Sequence, residues 1–278
     1  MKKLRYLPLL MLVSLFLICS CGSESTAPAS APANEVDVHI IMGQSNSIGR
    51  AYAYQLPKEL RNPLDSCFIY NPASRKFEVI KAGVNTQSAE GMFGPVVKAA
   101  QLLSEHKKRR VHFVVAGYGN TQLYYSGSEA EKDWHPDSKE LAHQAIATVE
   151  QARKALEADG KTAVFKSIAW WQGERDAMKA EKAMLYGANE AALFYSFSSI
   201  PYLRNAKRVV FKLFAQPQLM PHVNVINEAK VKRAASDVHT LAVIETSKYE
   251  LNPQDKLHAT AKGMVQAGTD LFEAIKNL

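Results

Sequence analysis

The feature that most constrains this chain is an alternation. Short apolar runs of strand length, at 36–42, 111–116, 164–170, 208–213 and 240–244, recur between longer stretches of helical pattern at 94–105, 139–159, 176–198, 223–236 and 260–277. Strands this apolar, separated by crossovers of helix length, belong to parallel sheets covered on both faces. Because such crossovers are right-handed, the pattern predicts an α/β fold, a three-layer α/β/α doubly wound sandwich with about five mainly parallel strands. The segment 67–80, interrupted by Asn71-Pro72 and Ser74-Arg75, reads as a small extra hairpin beside that sheet.

Ligands of such sheets lie beyond the carboxyl ends of the strands. Four polar loops fall there: Gly43-Gln44-Ser45-Asn46 after the first strand, Gly117-Tyr118-Gly119-Asn120-Thr121 after the second, Gln172-Gly173-Glu174-Arg175-Asp176 after Trp170-Trp171, and Asp255-Lys256-Leu257-His258 after the last. A serine on the turn after a buried strand faces solvent, at a helix start whose free N–H groups can stabilise an oxyanion. Taken alone, the same turn reads equally as a plain helix cap. An Asp three residues before a His can orient that imidazole within one turn, so Ser45, Asp255 and His258 offer nucleophile, orienter and base. Ser47 is the rival nucleophile, and Ser45 is preferred as nearer the strand end. Among the other histidines, His39 falls inside a strand, His106 and His112 flank a basic cluster, and His135 and His222 sit in loops. Of these, His135 is a candidate to line a pocket. Trp170 and Trp171 are expected to floor the pocket, with the Gln172 amide offered toward it. The glycine-rich 117–121 segment reads as a turn or as an oxyanion loop.

The N-terminus reads as export machinery rather than as fold. Lys2, Lys3 and Arg5 precede an apolar run at 7–18 that closes on Cys19-Ser20-Cys21, which resembles a bacterial lipobox. Residues 1–20 are expected to be a lipoprotein signal peptide, Cys21 the lipidated residue, and 21–34 a flexible tether. An ordinary signal peptide cut near Ser20 or Ser23 is the alternative. Gly22 after the cysteine points to a lipid anchor in the outer membrane of a bacterial cell envelope. Loss of the three signal cations lowers the net charge from +7 to +4. Lys107-Lys108-Arg109-Arg110 has no interleaved aromatics and reads as a solvated helix end, not a nucleic-acid surface. Cys67 is the only cysteine left in the 35–278 domain, so neither a disulfide framework nor a zinc site is expected, and a buried inert thiol is.

Taken together, Gly43-Gln44-Ser45-Asn46, the Gly94-Pro95 helix start, Gly119-Asn120-Thr121, Trp171-Gln172-Gly173-Glu174-x-Asp176 and Asp255-x-x-His258 occur in the order seen in the sialate O-acetylesterase-like family. This is a branch of the SGNH hydrolases that includes carbohydrate esterase family 6. The resemblance covers nearly all of 35–278. It implies a flavodoxin-like sandwich and removal of O-acetyl groups from sugars through a serine acyl-enzyme, without metal or other cofactor. It implies Ser45, Asp255 and His258 as catalytic residues, and Gly119, Asn120, Gln172, Gln44 and Glu174 on the oxyanion and substrate side. In that scheme Gln172 helps build the oxyanion side, and Glu174 fixes its loop from behind. Two positions depart from the family pattern: Asn120 stands where a second glycine is usual, and Ser47 where a Met is common. The family implies two substrates, O-acetylated sialic acid and acetylated xylan-type glycans. Arg50 and Arg175 are candidates to meet a sialic acid carboxylate. Other readings stay open on sequence alone: a non-catalytic glycan-binding lipoprotein of the same fold, and an esterase or lipase for other acyl groups.

Overall fold

The first apolar run becomes the centre of the molecule. A computed structural model describes residues 34–86, 89–127 and 132–278; the expected signal peptide, Cys21 and all of the tether except Asn34 lie outside the described residues. In chain order the elements are β1 (Glu35–Gly43), α1 (Ser45–Ile48), β2 (Ala51–Tyr52), α2 (Lys58–Arg61), β3 (Leu64–Asn71), β4 (Lys76–Ile80), β5 (Met92–Phe93), α3 (Val96–Lys107), β6 (Val111–Gly117), α4 (Leu141–Ala158), β7 (Thr162–Trp171), α5 (Ala180–Ser198), β8 (Lys207–Phe211), α6 (Val223–Ser236), β9 (Thr240–Ile244) and α7 (Ala261–Ile275). Every residue of β1 from Asp37 to Gly43 is buried, as a central strand covered on both faces requires.

The main sheet has seven strands in the order β4-β3-β6-β1-β7-β8-β9, all parallel except β4. The chain winds from β1 to β6 in one direction, then crosses back over β1 to β7 and continues to β8 and β9. Right-handed crossovers therefore put α3 on one face and α4, α5 and α6 on the other. The last helix, α7, packs on α3, and α5 packs on α6. Each helix buries one stripe: in α4 the stripe is Leu141, Ala142, Ala145, Val149, Ala152 and Leu156, the spacing of a helix lying on a sheet.

The expected hairpin forms, but it joins the sheet instead of lying beside it, which raises the strand count from about five to seven. Cys67, Phe68 and Ile69 of β3 pair in parallel with Val111, His112 and Phe113 of β6, and β4 closes the edge antiparallel. Without β3, β6 would expose a long apolar edge with a row of unpaired N–H and C=O groups. The short outer strand β4, with Lys76 and Glu78 on it, is a safer edge.

Winding reverses at β1, so the switch point lies between β1 and β7, where doubly wound sheets bind ligands. The register makes that rim level. Gly43 stands opposite Gly117 on one side and Trp171 on the other, so the loops after β1, β6 and β7 leave the sheet at one height.

Candidate active site

The nucleophile loop is held to both neighbouring strands by backbone bonds. The Gln44 N–H donates to Trp171 O (2.9 Å), and the Tyr118 N–H donates to Gly43 O (2.9 Å). Gly43 has φ +133°, and a Cβ there would sit 2.1 Å from Trp171 O. Only glycine lets the chain turn this close to β7. The turn delivers Ser45 as the first residue of α1, a helix of just four residues. Ser47, the rival hydroxyl, is buried and donates to Gln44 O at 2.6 Å, so it is spent on the turn itself.

His258 reaches the same place from the loop before α7. Its Nε2 lies 2.8 Å from Ser45 Oγ and its Nδ1 lies 2.9 Å from Asp255 Oδ2. The other Asp255 oxygen accepts the backbone N–H groups of Leu257 (2.9 Å) and His258 (3.0 Å). Burial opposes a charge on Asp255, but the backbone and imidazole bonds from His258 and the bond from Leu257 outweigh it and hold the carboxyl below its ordinary value. Asp255 thus stays ionised and orients the ring. The loop is compact: Leu251 bridges to Ala259, and the Asn252 N–H donates to His258 O at 2.8 Å.

These groups line a cleft of about 480 Å³ together with Gln44, Gly119, Asn120 and Glu174. Arg50 and Arg175 supply cations to it, and Met178, Leu219, Met220 and Leu257 form an apolar wall. A Cβ on Gly119 would come within 2.9 Å of Arg50 Nη2 and 4.0 Å of Ser45 Cβ. The missing side chain there leaves room for the Arg50 guanidinium beside the nucleophile. Asn120 has φ +56°, a left-handed conformation in which Asn is among the best tolerated residues after glycine. That is the physical account of its standing where a glycine is usual. Its Oδ1 accepts from Arg175 Nη1 at 3.0 Å.

Two expected pocket features lie behind the cleft. Gln172 is fully buried and its amide nitrogen donates to Asp176 Oδ2 (2.8 Å), Thr121 O (3.0 Å) and Gln44 Oε1 (3.3 Å); it braces three loops and does not line the cleft. Trp170 and Trp171 are likewise core residues rather than a floor. Trp170 packs edge-on against Trp134, and Trp171 stacks on Phe211 at 4.6 Å. Successive residues of a strand covered on both faces point into opposite layers. His135 caps a turn, its Nδ1 accepting the Asp137 N–H, and it does not line this cleft.

The loop pattern hides the roles of Asn46 and Asp176. Asn46 is inaccessible, and its Nδ2 donates to Glu174 Oε1 (2.9 Å) and Leu257 O (3.1 Å), while its Oδ1 accepts the Ala259 N–H (3.3 Å). It ties the nucleophile loop to both the Glu174 loop and the histidine loop. Glu174 is buried, and burial raises its carboxyl against the bond from Asn46. Asp176, also raised by burial, accepts the N–H groups of Leu123 and Tyr124. Arg50 makes no hydrogen bond or ion pair with a described residue. A second cavity, about 530 Å³, lies between α6 and the ends of β8 and β9, and no serine–histidine pair lines it.

Comparison by sequence with curated proteins gave no match. Among solved structures, this chain is similar to an Arabidopsis thaliana protein (20% identity, TM-score 0.69, covering 88% of this chain and 99% of that one). It is also similar to NanS (12%, TM-score 0.62, 89% and 98%) and to a carbohydrate acetylesterase from Xanthomonas citri (17%, TM-score 0.57, 86% and 55%). These likenesses establish the fold, a mostly parallel sheet between layers of helices. The family described as carbohydrate esterase, sialic acid-specific acetylesterase matches residues 35–277. By that match the chain belongs to this family of carboxylic ester hydrolases.

Proposed function

We propose that the protein removes O-acetyl groups from a sugar through an acyl-enzyme on Ser45. The Ser45 oxygen attacks the acetyl carbonyl while His258 Nε2 takes its proton, and ionised Asp255 supports the imidazolium through Nδ1–H. Backbone N–H groups of Ser45 and Gly119 hold the oxyanion. The imidazolium then protonates the departing sugar oxygen. Water, deprotonated by His258, attacks the acetyl-serine, and acetate leaves as Ser45 regains its proton. The observation that carries this reading is the unbroken relay of 2.8 and 2.9 Å on the wall of an open cleft. It also argues against a glycan binder without catalysis.

Arg50 supports the choice of sugar. A guanidinium beside the nucleophile with no described partner suits a carboxylate, which favours O-acetylated sialic acid over neutral acetylated xylan. The apolar wall favours a second reading, an esterase for longer acyl groups, which chain-length preference on p-nitrophenyl esters separates. Ser45→Ala is expected to abolish both p-nitrophenyl acetate hydrolysis and labelling by a fluorophosphonate probe, with the circular dichroism unchanged. Turnover at the wild-type rate overturns the mechanism. Acetate release from acetylated xylan and not from an acetylated sialoside overturns the choice of sugar.

We also propose that the protein is exported and held on the outer membrane of a bacterial cell envelope by lipid on Cys21. The support is the sequence of the first 22 residues. Among the described residues no helix is long and apolar enough to cross a membrane. Metabolic labelling with a palmitate analogue, lost in Cys21→Ala, tests it.

A further inference from the structure

Arg50, which lines the cleft, leads directly into β2. Exposure alternates there: Arg50 is exposed, Ala51 is buried at 4%, and Tyr52 is 45% exposed. Arg50 and Tyr52 therefore stand on the same side of an extended segment, roughly 7 Å apart along it. The Tyr52 ring stacks on Tyr54, with centroids 5.4 Å apart and planes 28° apart, and Tyr54 is 70% exposed. The backbone beneath is anchored: Tyr52 pairs with Met92 of β5, and the Ala53 N–H donates to Gly91 O at 2.8 Å. Single exposed aromatics are ordinary. A stacked pair on fixed backbone, two residues beyond an arginine that lines the catalytic cleft, is a ready-made binding surface.

A pyranose ring has a rim of hydroxyls and a face of C–H bonds. Its slightly positive C–H groups suit the negative face of a tyrosine ring, and the phenol oxygen can meet the rim. We propose that Tyr52 and Tyr54 form an outer sugar subsite, so that the preferred substrate is an oligosaccharide whose second sugar lies on the aromatic pair while the acetylated one faces Ser45. The subsite rests on the reading of the cleft as a sugar O-acetylesterase.

The test compares kcat/KM for O-acetylated sialyllactose with that for the free O-acetylated monosaccharide. In the double variant Tyr52→Ala, Tyr54→Ala the trisaccharide-to-monosaccharide ratio is expected to fall about tenfold, the size of losing two stacking contacts. Tyr195→Ala, near the far end of α5, serves as the control and keeps the ratio. An unchanged ratio in the double variant overturns the subsite. If the wild type cleaves p-nitrophenyl acetate but no acetylated sugar, the proposed function fails, and calorimetric titration with unacetylated sialyllactose and xylotriose judges the subsite separately. A Kd for either trisaccharide that rises about tenfold in the double variant supports it; an equal Kd, or no binding by the wild type, overturns it.

Discussion

Replacing Asn46 by alanine is expected to cost the reaction far more than the fold. The substitution deletes three hydrogen bonds, to Glu174 Oε1, Leu257 O and the Ala259 N–H. A buried polar group left without its partner costs about 1–3 kcal/mol, but two of the losses are softened. Burial already raises the Glu174 carboxyl against the Asn46 bond, so losing that bond shifts it further toward its neutral form, which costs less to bury than a bare charge. The Ala259 bond, at 3.3 Å, is long to begin with. A total of about 2–4 kcal/mol follows, within the 5–15 kcal/mol that typically separates folded from unfolded states. The rate is more exposed, because the lost bonds hold the histidine loop in register with Ser45. A displacement near 1 Å in a catalytic pair costs about a hundredfold. Steady-state kinetics on p-nitrophenyl acetate should therefore show kcat down about a hundredfold and KM little changed, with urea unfolding still cooperative. Asn46→Asp adds a readout that lost packing does not reproduce. It keeps the oxygen facing Ala259 but sets a second carboxylate against Glu174, and two such groups cannot both stay ionised at contact distance. The activity of that variant relative to wild type should rise as pH falls and the pair takes up one proton. Retention of kcat within about threefold in a natively folded Asn46→Ala protein would refute the idea that this side chain positions His258.

Gly43→Ala should destabilise the chain by about 3–5 kcal/mol, since a Cβ would meet the Trp171 carbonyl at 2.1 Å in a backbone conformation that L residues avoid. A urea midpoint within about 1 kcal/mol of wild type would count against that reading of the turn. Acid should also unfold the protein through two buried histidines. Burial, helped by Lys107, Lys166 and Arg109, lowers His39 to about 3; burial, with Lys161 and Arg110, lowers His112 to about 4. The unfolded chain binds protons that the fold refuses, so this stability is complete above about pH 6.5 and is lost as pH falls toward those values. Between pH 4.5 and 6 the two together should contribute a slope of about 2–3 kcal/mol per pH unit. Urea titrations of His112→Phe should show about half of that contribution gone, and an unaltered slope would exclude it.

The sequence by itself determined the layers and the rim. Apolar runs at strand length and stripes at helical spacing are local properties, and right-handed crossovers convert them into a parallel sheet whose loops gather at one edge. Asp255 and His258 were legible for the same reason, because three residues of chain suffice to bring imidazole and carboxylate together. Tertiary structure alone decided what depends on residues far apart in the chain. It drew the 67–80 hairpin into the sheet, because β6 needed a neighbour that no local pattern names. It turned Trp170, Trp171 and the Gln172 amide inward, because both faces of β7 are covered and Asp176, Thr121 and Gln44 claim the amide. It set Asn46 between loops 128 and 211 residues away and laid Arg50 across Gly119. It also brought Ser45 within 2.8 Å of a histidine 213 residues further on. Hydropathy and propensity are written residue by residue, whereas the partner of a buried polar group is chosen only when the chain closes around it.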